Sequence, residues 1–470
     1  MDSPAPKRVY IQNFGCQMND YDVDRMIELL RDDGWSMAAT QDEADLIVLN
    51  SCSIREKSEQ KVQSAAGRLR ELKQRGVMVA VGGCVAQQEG GRLLQQIPTA
   101  DIVFGPDQIP RLPELVRRFR VDKRRVADTS VIDVEDYQFL DANPLPGEVR
   151  VTSLVTIQKG CDNHCAYCVV PVTRGREVSR PLDEVVAEVR HFVSLGSREV
   201  TLIGQNVNSY HGAGSVDGDD FAELLRRVDE VEGLYRIRYT TSHPKDFTAK
   251  VAAAFRDLPR MAPFLHLPVQ SGSTRTLKRM VRGYTREEYL RKLDLARSAC
   301  PDLSLSTDII VGYPGETAAD FAETMSLLRE VEYDSIYSFE YSERPDTPAL
   351  KLALRDDVPV DVKAARLQEV QALQREITAR RLGRFLGRVA EVLVEGQSRL
   401  GQGQLCGRLG GNEMVNFVGD PALVGRLVPI RVDVARTHTL CGEIAGPALP
   451  DLAVPSSPVR RKRLLPVLAS

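Results

Sequence analysis

Three cysteines spaced C-x3-C-x2-C, in the run Gly160-Cys161-Asp162-Asn163-His164-Cys165-Ala166-Tyr167-Cys168, constrain this chain more than any other stretch. They follow an apolar-alternating segment, Val151 to Ile157, that reads as a strand. Thiolates so close in sequence converge on one metal centre without help from distant chain. A four-iron, four-sulfur cluster normally takes four cysteine ligands. Three leave one iron open to a small molecule, which is what separates a catalytic metal site from a closed structural one. Two plainer readings stay open on the motif alone: a zinc knuckle completed by His164, and buried thiols that simply pack.

The segment before it, 7–125, reads as strand and helix in alternation. Arg8 to Asn13 is a strand that runs into Gly15-Cys16, and Asp20 to Leu30 a helix capped by Asn19 or Asp20. Asp45 to Asn50 is a continuous apolar strand ending at Cys52, followed by a helical stretch from Ser53 to Gln74. Val77 to Val81 is a third strand ending at Gly82-Gly83-Cys84, and Thr99 to Phe104 a fourth. Such a repeat makes a parallel sheet covered on its faces by helices. Cys16, Cys52 and Cys84 each stand just past a strand's carboxyl end, where open parallel sheets bind ligands. Three thiols far apart in sequence are therefore expected in one crevice, with ordinary packing of each cysteine as the alternative.

From 147 to 380 the pattern is again strand then helix, with six units, too few for a closed eight-unit barrel and right for a partial (β/α)6 one. Polar residues gather at the strand ends: Gln205, Asn206, Asn208, Ser242, His243, Gln270, Ser271, Asp308 and Glu316. Between the two units, 126–146 has Asp, Pro and Gly without period and reads as a linker. From 381 to 446, five short strands divided by glycine turns read as a small β-barrel of oligonucleotide-binding type. Arg380, Arg381, Arg384, Arg388, Arg399 and Arg408 lie in or before it and are expected to meet phosphates. The tail 447–470, broken by prolines, is expected to be disordered, and its Arg460-Arg461-Lys462-Arg463 to add salt-dependent affinity for RNA or to serve as a solubilising end.

Composition narrows the function. A formal net charge of −3 gives no global basic field, so any RNA-binding surface is local. Nine cysteines in 470 residues are too sparse for a secreted disulfide scaffold. Cys300, Cys406 and Cys441 fall outside both triplets and read as ordinary thiols. No apolar run approaches the roughly 18 residues of a membrane span, and no signal-peptide core opens the chain. A cytoplasmic protein without a membrane partner is expected.

The C-x3-C-x2-C spacing resembles that of the radical S-adenosylmethionine enzymes. More specifically, Gly15-Cys16-Gln17-Met18-Asn19, Asn50-Ser51-Cys52-Ser53-Ile54-Arg55-Glu56-Lys57 and Gly82-Gly83-Cys84-Val85-Ala86-Gln87 resemble the N-terminal domain of methylthiotransferases. Val169 to Glu177, Ile203 to Asn208, Thr241 to Pro244 and Leu267 to Ser273 resemble their core, and the terminal barrel their TRAM domain. The likeness runs over roughly 8–445, and Ser51 stands where the family would have threonine. It implies two 4Fe-4S clusters, one on Cys161, Cys165 and Cys168 and an auxiliary one on Cys16, Cys52 and Cys84. It also implies S-adenosylmethionine contacts from Tyr167, Gln205, Asn206, Ser242, Gln270 and Asp308. One S-adenosylmethionine would methylate a sulfur on the auxiliary cluster, and a second would be cleaved reductively to a radical.

The wording Cys52-Ser53-Ile54-Arg55-Glu56 is similar to the branch that methylthiolates carbon 2 of N6-(dimethylallyl)adenosine beside the anticodon in tRNA. It disfavours the branches acting on threonylcarbamoyladenosine or on a ribosomal-protein aspartate. A non-catalytic iron–sulfur RNA-binding protein is the remote alternative, against which the three-ligand motif argues. The resemblance further implies a tRNA anticodon loop as partner, an electron donor such as flavodoxin or ferredoxin, and a monomer.

Overall fold

A computed structural model describes residues 7–53, 56–145, 147, 149–212, 220–352, 354–399, 401 and 403–450. The fold is α/β in its first two units and all-β in its third. The first is a six-stranded sheet of β1 (Lys7–Asn13), β2 (Trp35–Met37), β3 (Leu46–Ser51), β4 (Met78–Gly83), β5 (Ile102–Phe104) and β6 (Val126–Asp128). Its order is β2-β1-β3-β4-β5-β6 and every pair is parallel. β3 and β4 are buried along their whole length. Helices cover both sheet faces, which is why these strands read as unbroken apolar runs rather than alternating ones. Gln17–Asp32 and Leu112–Asp122 cover one face, Glu56–Arg68 and Cys84–Glu89 the other.

Local details differ from expectation for identifiable reasons. The first helix begins at Gln17, one turn earlier than Asp20, because its cap is Cys16 rather than Asn19 or Asp20. Asn19 sits three residues in, and its side chain accepts from the Cys16 N–H. The long helix expected to Gln74 breaks at Leu69 into Glu56–Arg68 and Arg70–Gln74. Residues 126–128, within the expected linker, pair with β5 as an edge strand.

The central unit carries β7 (Thr152–Thr156), a short antiparallel hairpin of β8 (Gln158–Lys159) and β9 (Val178–Ser179), then β10 (Glu199–Ile203), β11 (Arg236–Tyr239), β12 (Phe264–His266), β13 (Ser304–Val311) and β14 (Ser335–Glu340). Six of these form an incomplete barrel in two parallel halves, β7-β10-β11 and β12-β13-β14, bridged between Ile237 and Met261. Strand residues alternate between two faces. Val155, Val200, Leu202, Ile237, Tyr239, Leu265, Leu305 and Ile309 belong to the core shared with the surrounding helices. Glu199, Arg236, Arg238, His266, Ser304, Ser306 and Asp308 take the other face, so the lumen is polar.

The third unit is a closed barrel, β15 (Val389–Gln397), β16 (Gln404–Arg408), β17 (Met414–Val418), β18 (Leu427–Ala435) and β19 (Thr439–Ile444), in the order β15-β16-β17-β19-β18. Its β16–β17 turn meets the amino ends of the core strands, the end opposite the thiols. Arg236 donates to the Arg408 and Glu391 carbonyls, and Arg238 to those of Leu409 and Gly410 at 2.8 and 2.7 Å. Both guanidiniums are balanced by Glu199, which is 3.0 Å from Arg238 Nε. Carboxylates, within each unit and across the junction, also consume most of the arginine run expected to meet phosphate. Arg380 pairs with Glu332, Arg381 with Asp334, Arg384 with Asp334 and Glu413, and Arg408 with Glu395. Arg388 and Arg399 remain exposed. Leu449 is tied to β18 through the Leu427 carbonyl, and Arg460 to Arg463 lie outside the described residues.

Replacing Arg238 by leucine strips the Leu409 and Gly410 carbonyls of their donors and deprives Glu199 of its nearest charge partner. Removing one partner of a buried ion pair costs about 3–5 kcal/mol. Urea unfolding of Arg238→Leu should register a loss of that order, and a change below about 1 kcal/mol would contradict the docking role.

Candidate active site

The three thiols of the first unit are brought together by a polar lattice at the tips of β1, β3 and β4. Asn19 donates to the Ser51 carbonyl at 2.9 Å, and Asn50 returns a bond to the Asn19 carbonyl at 3.0 Å. The Ser51 hydroxyl bonds the Gly82 carbonyl and accepts from the Ala86 N–H. A serine thus performs the bonding at the position where threonine was expected. Gly83 has φ +93°, and a Cβ there would lie 2.3 Å from the Ser51 carbonyl oxygen, so only glycine lets the two tips approach. Cys16 caps the first helix, Cys52 follows β3, and Cys84 opens the helix Cys84–Glu89.

Hydrogen bonding with Cys52 draws the Cys16 thiol down to about 6 against the opposing effect of burial, with Asn19 and Arg174 assisting. Burial raises Cys84, and the charge of Arg174 opposes that rise. The three sulfurs share one electrostatic neighbourhood, and a thiol at a helix N-terminus beside a guanidinium is disposed to ionise.

Cys161, Cys165 and Cys168 occupy the loop between β8 and the helix Val170–Arg174. Gly160, at φ +75°, would place a Cβ 1.9 Å from the Arg176 carbonyl oxygen, so the loop enters its turn only through glycine. Ala166 N–H bonds the Met280 carbonyl and Ala349 N–H that of Ala166. Met280, Tyr313, Tyr341 and Ala349 form an apolar bed beneath. Burial pushes Cys161 up to about 11 and Cys168 up to about 12, so their ionisation waits on an arriving cation and binding releases protons.

Two donors converge on Cys165: Arg282 Nη1 at 3.4 Å from Sγ, and the His243 ring at 3.8 Å through Nε2. Burial, with Arg282, Lys245 and Lys292 nearby, takes His243 down to about 2, so the ring is neutral. Arg282 is 4% exposed. Its other partners are the hydroxyls of Tyr167 and Tyr284 and the Pro268 carbonyl. A buried cation against Cys165, with its charge felt at Cys168, fits an anionic iron–sulfur cluster. Among the described residues no three His, Cys, Asp or Glu side chains are gathered for a single metal ion, as a zinc site requires. His164 is exposed. A four-iron cluster is larger than one ion and spreads its thiols further apart.

The two triads are linked by one short helix. Arg174 ends the helix that leaves Cys168 and pairs with Asp22 at 2.6 Å, both fully within the protein. Beside it Lys159 meets Asp107 at 2.7 Å, with its ammonium 4.0 Å from the Tyr137 ring. A cavity here is lined by Met18, Tyr21, Asp22, Tyr137, Lys159 and Arg174.

The other residues singled out from sequence separate into two kinds. Gln205 is a brace: its Oε1 accepts from the Gly160 N–H while Gln158 Oε1 accepts from the backbone of Gln205 and Asn206. Tyr167 accepts from Arg282. Asn206 Oδ1 and Ser242 Oγ are buried with no hydrogen-bond partner. Gln270 is held at φ +73° without being glycine, and Asp308 lies 3.6 Å from His266. Arg282, Asp22, Lys159 and Asp107 were not singled out from sequence. Arg282 falls in Lys278-Arg279-Met280-Val281-Arg282, which reads as a solvated basic run, and no local signal marks it as buried.

Comparison with known proteins agrees with this division. Residues 8–105 match the profile described as uncharacterized protein family UPF0004, 155–328 the radical SAM superfamily, and 383–445 the TRAM domain. The chain is 50% identical over 452 residues to the tRNA-2-methylthio-N(6)-dimethylallyladenosine synthase of Anaeromyxobacter dehalogenans, covering 94% of this chain and 96% of that one. It is 48% identical to the protein of that name from Geobacter metallireducens, covering 93% and 98%. Among solved structures, the radical S-adenosylmethionine methyltransferase TsrM of Kitasatospora setae superposes with a TM-score of 0.55 at 15% identity, over 73% of this chain and 75% of that one. At that identity the likeness concerns fold alone.

The left-handed backbone at Gly34 and Gly83 separates conformational strain from close approach, since nothing lies within 4 Å of a Cβ at Gly34. Gly34→Ala should cost about 1–2 kcal/mol. Gly83→Ala should cost clearly more, and equal losses in thermal unfolding would refute the tip-to-tip constraint.

Proposed function

The chain belongs to the tRNA-2-methylthio-N(6)-dimethylallyladenosine synthases, a radical S-adenosylmethionine family, and from that premise we propose how its residues serve the transfer of a methylthio group to carbon 2 of N6-(dimethylallyl)adenosine in tRNA. Cys161, Cys165 and Cys168 hold one 4Fe-4S cluster, and Cys16, Cys52 and Cys84 a second, auxiliary one. Bound there, such clusters supply a low-potential electron, an open iron for S-adenosylmethionine and a place to carry sulfur.

The observation that carries the reading is the convergence of three thiols from separate strand tips beside Arg174, whose helix leaves the contiguous triad directly. Asn206 and Ser242, with unpartnered buried oxygens, Gln205 and Gln270 at strand ends, Asp308 within β13 and Tyr167 in the cysteine loop are the groups proposed to position S-adenosylmethionine. Sulfur insertion needs the target base out of its stack. A loop adenosine turned into the space between the two units meets that requirement at little unstacking cost. Arg388 and Arg399, left exposed when the terminal barrel docks, are proposed to meet the RNA backbone.

A flavodoxin- or ferredoxin-like donor, a monomer and a cytoplasmic setting complete the proposal. No helix among the described residues is long and apolar enough to cross a membrane.

Anaerobic reconstitution with iron and sulfide should give about eight iron atoms per chain, falling to about four in Cys84→Ala. That variant should still cleave S-adenosylmethionine to 5′-deoxyadenosine while the thiolated nucleoside disappears from tRNA by mass spectrometry. Four irons in the parent chain, or unaltered product in Cys84→Ala, would refute the two-cluster assignment. Alanine at both Arg388 and Arg399 should lower the slope of log affinity against log salt by about 1.4 for a single-stranded contact. An unchanged slope would remove them from the interface.

A further inference from the structure

Arg282 differs from the other buried arginines of the core. Arg174 faces Asp22, Arg180 faces Glu188, Arg238 faces Glu199 and Arg366 faces Glu316. Among the described residues no carboxylate faces Arg282. Its five N–H groups meet two phenol oxygens, one carbonyl and one sulfur: Tyr284 at 2.9 Å, Tyr167 at 3.2 Å, Pro268 at 2.7 Å and Cys165 at 3.4 Å. A full positive charge buried without an anion is costly, and the anion that balances it has to come from what the thiols bind.

The tautomer of His243 follows from its surroundings. Nδ1 accepts the Lys245 N–H at 3.1 Å, which leaves the proton of a neutral ring on Nε2, the atom directed at Cys165 Sγ. The backbone around the ring is fixed by Asn208, which accepts from the His243 N–H and donates to its carbonyl. Cys165 is therefore met by a cationic donor and a neutral donor on one sulfur, both held by rigid partners.

Building on the function proposed above, we propose that Arg282 and His243 are positioning residues that set the reduction potential of the cluster bound by Cys161, Cys165 and Cys168. Hydrogen bonds to ligating sulfurs and the net charge around a cluster are among the determinants of its potential. Reduction adds one electron and therefore one negative charge. A nearby cation and two N–H donors stabilise the reduced form more than the oxidised one, so they raise the potential. In a catalyst that must accept an electron from a soluble donor before passing it to S-adenosylmethionine, that bias keeps the first transfer feasible. Tyr167, expected from sequence to touch S-adenosylmethionine, belongs to the same cradle as a partner of Arg282.

The test is a potentiometric titration of the full, iron-loaded chain followed by electron paramagnetic resonance. The signal that changes on adding S-adenosylmethionine identifies the cluster concerned. Arg282→Gln should make that cluster at least tenfold harder to reduce, a fall of about 59 mV for one electron. His243→Leu should shift it in the same direction by less, and Arg282→Lys, which keeps the charge, should recover most of the parental value. The signal of the other cluster should not move. A bracing role alone would alter iron content or melting temperature and leave the potential in place. A reduction equilibrium in Arg282→Gln within twofold of the parent overturns the inference. Should that variant lose its iron, His243→Leu decides, and an unshifted potential there overturns it equally. A parent chain with no S-adenosylmethionine-responsive signal overturns the functional reading itself, and this inference with it.

Discussion

The ion pair between Arg174 and Asp22 is the contact on which the relation of the two α/β units depends. It is buried, it joins residues 152 apart in sequence, and it lies where the helix leaving Cys168 meets the helix capped by Cys16. A buried pair of this kind contributes little net stability over an apolar contact but strongly penalises its own disruption. Its consequence is specificity of arrangement: sliding one unit over the other would strand two charges without water. Lys159 with Asp107 and Tyr137 repeats the device in the lining of the same cavity. The two triads are therefore placed relative to one another by electrostatics acting between units that each have their own apolar core.

The same division explains why the barrel lumen tolerates so much polarity. A closed eight-stranded barrel fills its interior with branched apolar side chains. Six strands leave a gap, and the inward positions carry Glu199, Arg236, Arg238, His266 and Asp308 instead. At the amino ends those charges are satisfied by carbonyls of the terminal barrel. At the carboxyl ends Asn206 Oδ1 and Ser242 Oγ keep their acceptor sites open. The amino end of the lumen is closed by the terminal barrel, so the third unit has a structural duty beyond any contact with RNA.

Much of this was legible in the sequence, because it depends on period and spacing. Strand–helix alternation announced both α/β units, and glycine turns announced the five terminal strands close to their observed limits. What stayed hidden are features that depend on residues far apart. The arginines from 380 to 408 read as a phosphate-binding run, yet four of the six meet carboxylates, and two of those, Arg381 and Arg384, reach across the domain junction to Asp334. Nothing local distinguishes a docking arginine from a solvated one. The sequence pattern points to Cys16 as a candidate ligand but gives no sign that it caps a helix, since the favoured capping residues are Ser, Thr, Asp, Asn and Gly. Asn19, which reads as the cap, instead supports it from the third position of the helix.

Arg174 and Arg282 show why burial of a cation is by itself uninformative. Both are enclosed, both adjoin a triad of thiols, and both lie outside the cysteine motifs. Asp22 pairs with Arg174 through two hydrogen bonds, so the field that Arg174 exerts on Cys16 and Cys84 is offset in part by a carboxylate. Arg282 has only neutral partners, so its field reaches Cys165 as that of a whole charge. In a medium of low effective dielectric this difference is large. A single carboxylate thus ties Arg174 to the junction between the units and reduces its field, while Arg282, without one, keeps the larger uncompensated field at its thiols.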